Sequence, residues 1–147
     1  MHATIKYSGR RKRPGDCEVL RHHADGSYTL LSARLDLVNH SPTGFEWGYP
    51  GSGPAQLAFA ILMDHYGRFR LASRLYQTFK ARFLAPLEDN EWELVPAEID
   101  SILSDVRPEA EAKLAHYDDE LRDMLQRSGA DDVEVRSALA ELEERGY

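Results

Sequence analysis

Cysteine is nearly absent from this sequence, lysine-bearing phosphate loops are missing, and no apolar run approaches the length of a bilayer. Each shortage removes a class of protein. Cys17 stands alone, which excludes an internal disulfide and fits a reducing compartment, so the cytoplasm is the expected location. The longest apolar run, Leu57–Met63, falls far short of the ~20 residues that span a membrane, so no membrane partner is expected. The N-terminus has no basic stretch leading into an apolar one, and no signal peptide is expected. The histidines (His2, His22, His23, His40, His65, His116) show neither H-x-x-x-H nor Cys/His spacing, so neither a metal site nor a cofactor is expected. No Ser-His-Asp or Cys-His set can be assembled. His40 acting with Asp36, Glu46 or Asp64 is the weakest of the readings, and catalysis is not expected.

What remains is one domain's worth of ordinary soluble sequence: 147 residues, 42% apolar and 29% charged. The net charge of −7 is unevenly placed. Residues 1–100 carry twelve basic and twelve acidic side chains, and residues 101–147 carry six and thirteen. A neutral body therefore leads into an acidic C-terminal segment. Within the body Arg10-Arg11-Lys12-Arg13 is a compact basic cluster, but overall acidity argues against a broad duplex-DNA footprint.

Periodicity divides the chain. Residues 3–8 read as a strand, Pro14-Gly15 as a turn, and residues 16–23 and 27–32 as two more strands around Asp25-Gly26. A two-residue type I′ turn at Asp25-Gly26 would set His23 opposite Tyr28. Leu35–Gly53 has no period and is dense in glycine, proline and aromatics. Ser52-Gly53-Pro54 opens a helix that is apolar through Met63 except at Gln56, hence buried on most sides, and ends near Gly67. Phe69, Ala72, Tyr76, Phe79 and Phe83 then recur at three- and four-residue steps, an amphipathic helix over 68–84. Glu91–Val95 is a strand suited to the N-terminal sheet, and Pro96 opens a helix through Ile102-Leu103. Pro108 restarts a helix to Arg127, Gly129 caps it, and Asp131-Asp132 starts a last one to Arg145. Glu109/Lys113, Asp118/Arg122, Asp123/Arg127 and Glu141/Arg145 place acid four residues before base on their outer faces. The expected fold is α+β: a small antiparallel sheet packed on a buried central helix and an amphipathic helix. The body spans 1–106, and residues 107–147 form an appended acidic helical hairpin that either packs on the body or meets a second copy.

The long aperiodic segment reads NHSPTGFEWGYPGSGPAQLAFAIL from Asn39 to Leu62. It resembles the mark of an uncharacterised small-domain family common in phages, plasmids and other mobile elements, N-H-S-P-x-G-F-x-W-G-Y-x-G-S-G-P-A-Q-L-A. An R-L-D-L run precedes that block in the family, here Arg34–Leu37, and a Y-Q-x-F-K helix follows it, here Tyr76–Lys80. The resemblance covers about residues 3–104 and departs at Pro50, where glycine is expected. It implies a fold unit and a mobile-element setting, with no established activity.

A glycine-rich loop at a helix N-terminus can receive an anion on unpaired N–H groups. Gly51, Ser52 and Gly53 are the donors in that reading, without the lysine of a Walker loop. Phe45, Trp47 and Tyr49 alternate, so an extended chain would set the rings on one side as a stacking row or as a lid over the core. Arg34 and His40 complete the candidate ligand site, and Arg10, Arg11 and Arg13 are the candidate phosphate contacts. The sequence thus points to a non-catalytic accessory protein binding a phosphate-bearing ligand: a nucleotide, a signalling nucleotide or single-stranded nucleic acid. The alternative is a protein–protein interaction or homo-oligomeric module acting through residues 107–147.

Overall fold

Alternating burial builds the sheet. The computed structural model describes residues 3–145. Met1, His2, Gly146 and Tyr147, the outer ends of the two expected segments, lie outside the described residues. Strands β1 (Thr4–Arg13), β2 (Asp16–His23), β3 (Tyr28–Leu30) and β4 (Glu91–Leu94) form one antiparallel sheet in the order β3-β2-β1-β4. Tyr7, Gly9, Val19, Trp92 and Leu94 turn inward and are buried. Their neighbours Lys6, Ser8, Arg10, Glu18, Leu20, His22, Glu91 and Glu93 occupy the outer face.

Three expectations for this sheet need correction. Strand β1 runs five residues past Ser8, so the basic cluster lies on a strand that turns at Pro14-Gly15. Strand β3 is shorter than 27–32. The hairpin register differs by one residue, with His22 opposite Tyr28. The cause of that shift is local. Asp25 accepts from the Ser27 N–H (2.9 Å) and hydroxyl (2.6 Å), and Gly26 is left-handed at φ 88°. The resulting turn, closed by Gly26 N–H to the His23 carbonyl, is one residue longer than a type I′ pair.

Helix α1 (Ser52–Tyr66) is buried without a break from Gly53 to Met63. Pro54 is its third residue, which costs no hydrogen bond because the first helical N–H groups lack intrahelical acceptors. Gly67 ends the helix in a left-handed cap, its N–H on the Met63 carbonyl at 2.8 Å. Helix α2 (Phe69–Phe79) buries Leu71, Ala72, Leu75 and Phe79. Beyond Phe79 the expected helix widens into a π-turn, Lys80–Leu84, with Ala85 N–H bonded to the Lys80 carbonyl. Residues of α1, α2 and the inner sheet face, with Ile99 and Leu103, form one apolar cluster. Each fully buried leucine or phenylalanine in it contributes ~1.5–3 kcal/mol.

Trp92 lies flat on Gly9, its cross-strand partner, and a Cβ at Gly9 would overlap the indole. Gly9→Ala should therefore cost about 1–3 kcal/mol through forced displacement of the ring. Urea unfolding followed by tryptophan fluorescence reads this loss.

Helix α3 (Pro96–Ile102) leads through a short turn into α4 (Arg107–Arg127) and α5 (Asp132–Arg145). Gly129 is left-handed at φ 96°. Asp131 caps α5 by accepting from the Val133 and Glu134 N–H groups, and Glu134 accepts from the Asp131 N–H at 2.8 Å, a reciprocal capping box. The hairpin lies against α2. Glu109 pairs with Lys113 as its spacing predicts (3.1 Å). Asp118 instead meets Arg70, and Arg122 turns to Asp119. Among the described residues no helix is long and apolar enough to cross a membrane.

Candidate functional site

The segment between β3 and α1 is held from three directions. Gln56, wholly buried on α1, holds its first part. Its side-chain oxygen accepts from the His40 (2.7 Å) and Ser41 (3.2 Å) N–H groups. Its amide nitrogen donates to the Ala33 (2.5 Å) and Val38 (3.2 Å) carbonyls. All four hydrogen-bonding positions of the side chain are used. The one polar residue in an apolar run was the visible signal for this clamp, but its partners lie up to 23 residues away.

Glu46 holds the second part. One of its oxygens accepts from Arg11 Nε (2.9 Å), Arg11 Nη2 (2.6 Å) and the Trp47 N–H (3.0 Å), and the other from the Gly15 N–H (3.2 Å). Burial opposes the charge, but Arg11 and these N–H groups outweigh it and bring the carboxyl down to about 2. The same Arg11 lies 4.8 Å over the Trp47 ring and donates to the Trp47 carbonyl at 2.8 Å.

Trp47 is 1% exposed, edge-on to Trp92, with its indole N–H on the Asp89 carbonyl at 3.0 Å. Gly48, left-handed at φ 90°, redirects the chain, and its N–H reaches the Leu84 carbonyl. Tyr49 emerges 45% exposed and lies back over the glycines. A Cβ on Gly51 would overlap its ring, and one on Gly53 would stand 2.7 Å from Glu46 Cβ and 3.1 Å from the Tyr49 hydroxyl. The start of α1 is thus roofed by Tyr49 and Glu46. Phe45 is half-buried against the core, and the three rings do not form a single row. Pro50 is exposed and has no left-handed backbone, so proline fits where glycine was expected.

The other expected site residues are scattered. His40 is half-buried and stacked on Tyr76 with ring centroids 5.0 Å apart. Ser52 is exposed and makes no side-chain cap. Arg10 and Arg13 lie beside Glu91 (3.9 Å) and Asp16 (3.6 Å), and Arg11 is committed to Glu46. Arg34 stands apart, left-handed at φ 54°, with its guanidinium forked onto Asp36 by two 3.1 Å bonds. It lines a cleft of about 750 Å³ with Leu37, Met63, Asp64, Glu144 and Arg145.

The three carboxylates near the loop do not converge on one another. Asp36 serves Arg34 and Glu46 serves Arg11. Asp64 accepts from Tyr7 (2.6 Å), Thr4 (3.1 Å) and Arg21 (2.7 Å). Burial and then the Asp64 carboxylate push the Tyr7 hydroxyl well above its ordinary value. The described residues hold no group of three metal-ligating side chains.

Cys17 is half-buried, and desolvation followed by the Glu46 carboxylate pushes its thiol up to about 12. Because the thiolate is the nucleophile, native protein at pH 7.5 should resist iodoacetamide, and urea-unfolded protein should label at the rate of a free cysteine. Mass spectrometry of the two samples checks this.

Taken by fold and geometry, this is a small α+β protein whose most distinctive loop is packed between sheet and helix. Residues 7–105 match a family of unknown function, DUF6166, and the chain belongs to it. Helices α4 and α5 lie outside the matched span. Searches of curated proteins and of solved structures found no match.

Proposed function

We propose that this chain is a non-catalytic interaction module, an accessory protein of a phage or mobile element working in the cytoplasm, which docks a protein partner on the outer face of its sheet. The observation that carries the reading is the contrast between the two faces of the molecule. The glycine–aromatic loop is consumed by packing. The outer sheet face presents Tyr28 (63% exposed) and Leu30 (68% exposed) on a three-residue edge strand. Register places Leu30 beside Leu20 and Tyr28 beside His22. Next to this apolar edge lies a hollow of about 430 Å³ lined by Ser8, Arg10, Glu18, Leu20, Glu91 and Glu93. Cations on this face have partners: Lys6 meets Glu93 at 3.0 Å and Arg10 lies near Glu91. A surface with an apolar rim, internally neutralised charges and an open strand edge suits a protein better than a polyphosphate.

A photo-crosslinking residue placed at Leu30, with one at Val133 as control, tests this in host cells. The reading expects one protein adduct specific to position 30, whose purified partner binds the wild type and loses at least tenfold in affinity to Leu30→Glu. Equal capture from both positions, or binding indifferent to Leu30→Glu, would contradict it.

Arg34 supports a second reading, a phosphate-bearing ligand such as a nucleotide or single-stranded nucleic acid. Left-handed backbone at a non-glycine residue costs roughly 1–2 kcal/mol and is often retained where function needs it. Here the guanidinium fork lines a cleft of about 750 Å³, where Asp36 occupies the place an incoming phosphate would take. Thermal-shift titration with nucleotides and oligonucleotides, on wild type and Arg34→Ala, should give a shift only in the wild type. No shift in either sinks this second reading.

A further inference from the structure

The joint between the hairpin and the body differs in kind from the core. Of the hairpin's described residues, only Ala110 and Leu114 are among the buried members of the central apolar cluster. Val135 on α5 is also buried, outside that cluster, and much of the remaining attachment is ionic. Arg68 Nη1 donates to both oxygens of Glu111 at 2.7 and 2.8 Å, and its Nε lies 3.6 Å from Glu143. Arg70 Nη2 donates to Asp118 (2.6 Å) and Glu143 (2.8 Å), with the Arg70 side chain 15% exposed. Arg74 lies over the Tyr117 ring at 5.4 Å. The arginines belong to α2 and the Arg68–Phe69 entry to it, whereas the acids come from both α4 and α5.

The cluster is also incompletely satisfied: Arg70 Nε and Glu143 Oε2 are buried with no hydrogen-bond partner. A half-satisfied charge cluster holds less firmly than a packed apolar seam. The link to α3 is only the turn at residues 103–106, and Pro108 keeps α3 and α4 from fusing into one helix.

We propose that α4–α5 is an exchangeable clasp, and that a second copy of this chain is a partner: the acidic hairpin of each copy seats on the arginine face of the other. The occupant follows from charge complementarity. Glu111, Asp118 and Glu143 already match Arg68 and Arg70 within one molecule, and exchange remakes every one of these contacts while altering only the four-residue link. A short link between an anchored body and a weakly held element favours such swapping. The sheet face takes no part, so this association is independent of the interaction reading above.

A charge-exchanged pair of full-length chains tests the inference. One carries Arg68→Glu and Arg70→Glu, and the other carries Glu111→Lys, Asp118→Lys and Glu143→Lys. Each hairpin is repelled by its own α2, yet each matches the α2 of the other chain. Light scattering should find each chain alone as a monomer near 16.7 kDa and the mixture as a one-to-one dimer. A mixture that stays monomeric overturns the inference. Dimerisation of either variant alone also overturns it, because the contact would then lie elsewhere. Should a variant fail to fold, wild type refolded at millimolar concentration is the second measurement. A dimer that survives dilution and dissociates in 1 M salt supports exchange, and monomer alone contradicts it.

Discussion

Gln56→Met should be among the most damaging single changes available in this protein, although Gln56 lies within a helix. Methionine nearly conserves volume, so the cavity term is small. What is lost is the side chain that serves two N–H groups and two carbonyls of the loop, at His40, Ser41, Ala33 and Val38. Each group left buried and unpaired costs about 1–3 kcal/mol, and part of the loop will relax toward water, so a total loss of about 3–5 kcal/mol is expected. Urea unfolding measures the total. Hydrogen exchange should show protection lost first across residues 33–41, with α2 retaining its own. Uniform loss across both segments would mean that Gln56 acts through α1 packing instead.

The second large effect is acid sensitivity through Glu46. Its folded carboxyl sits near 2 against an ordinary 4.5. A carboxyl depressed in the native state stabilises the fold above its unfolded pKa, and that contribution fades as pH falls from about 4.5 toward 2. The shift corresponds to about 3 kcal/mol at neutral pH. Glu46→Gln should therefore be less stable than wild type by about that amount at pH 7, with the difference shrinking toward zero between pH 4.5 and 2. A gap that stayed constant over this range would assign the loss to shape rather than charge. Arg11→Met should behave similarly, because Arg11 is the cation that holds Glu46 ionised.

Much of the architecture was legible in local chemistry. The apolar run in α1 could only be buried, Gly67 and Gly129 stop their helices by adopting left-handed backbone, and Trp92 and Leu94 alternate as an inward-facing strand must. What escaped depended on distance along the chain. Alternation alone sets Phe45, Trp47 and Tyr49 on one side. A single glycine at φ 90° breaks that rule, and the partners that draw Trp47 inward, Asp89 and Trp92, lie more than forty residues away. The same holds at the hairpin. Spacing pairs Asp118 with Arg122, but Arg70, 48 residues earlier, offers a half-buried guanidinium with a second acid already at hand. An exposed four-residue pair is worth only ~0.3–0.5 kcal/mol, so it yields readily to such a competitor. Pro50, where the resemblance led us to expect glycine, sits on an exposed bend with no left-handed backbone and so does not require one.

The claim beneath all of this is that the glycine–aromatic loop is a packed junction between sheet and helix rather than a ligand cradle. Its most direct test is the exchange rate of the Trp47 indole N–H, followed by NMR in the free protein and with saturating nucleotide. Carried by a buried ring and bonded to the Asp89 carbonyl, that proton should exchange only through opening of the junction, with protection of at least a thousandfold and no chemical-shift change on addition of nucleotide. Exchange at the rate of a free indole, or a shift of that resonance by nucleotide, would contradict the account.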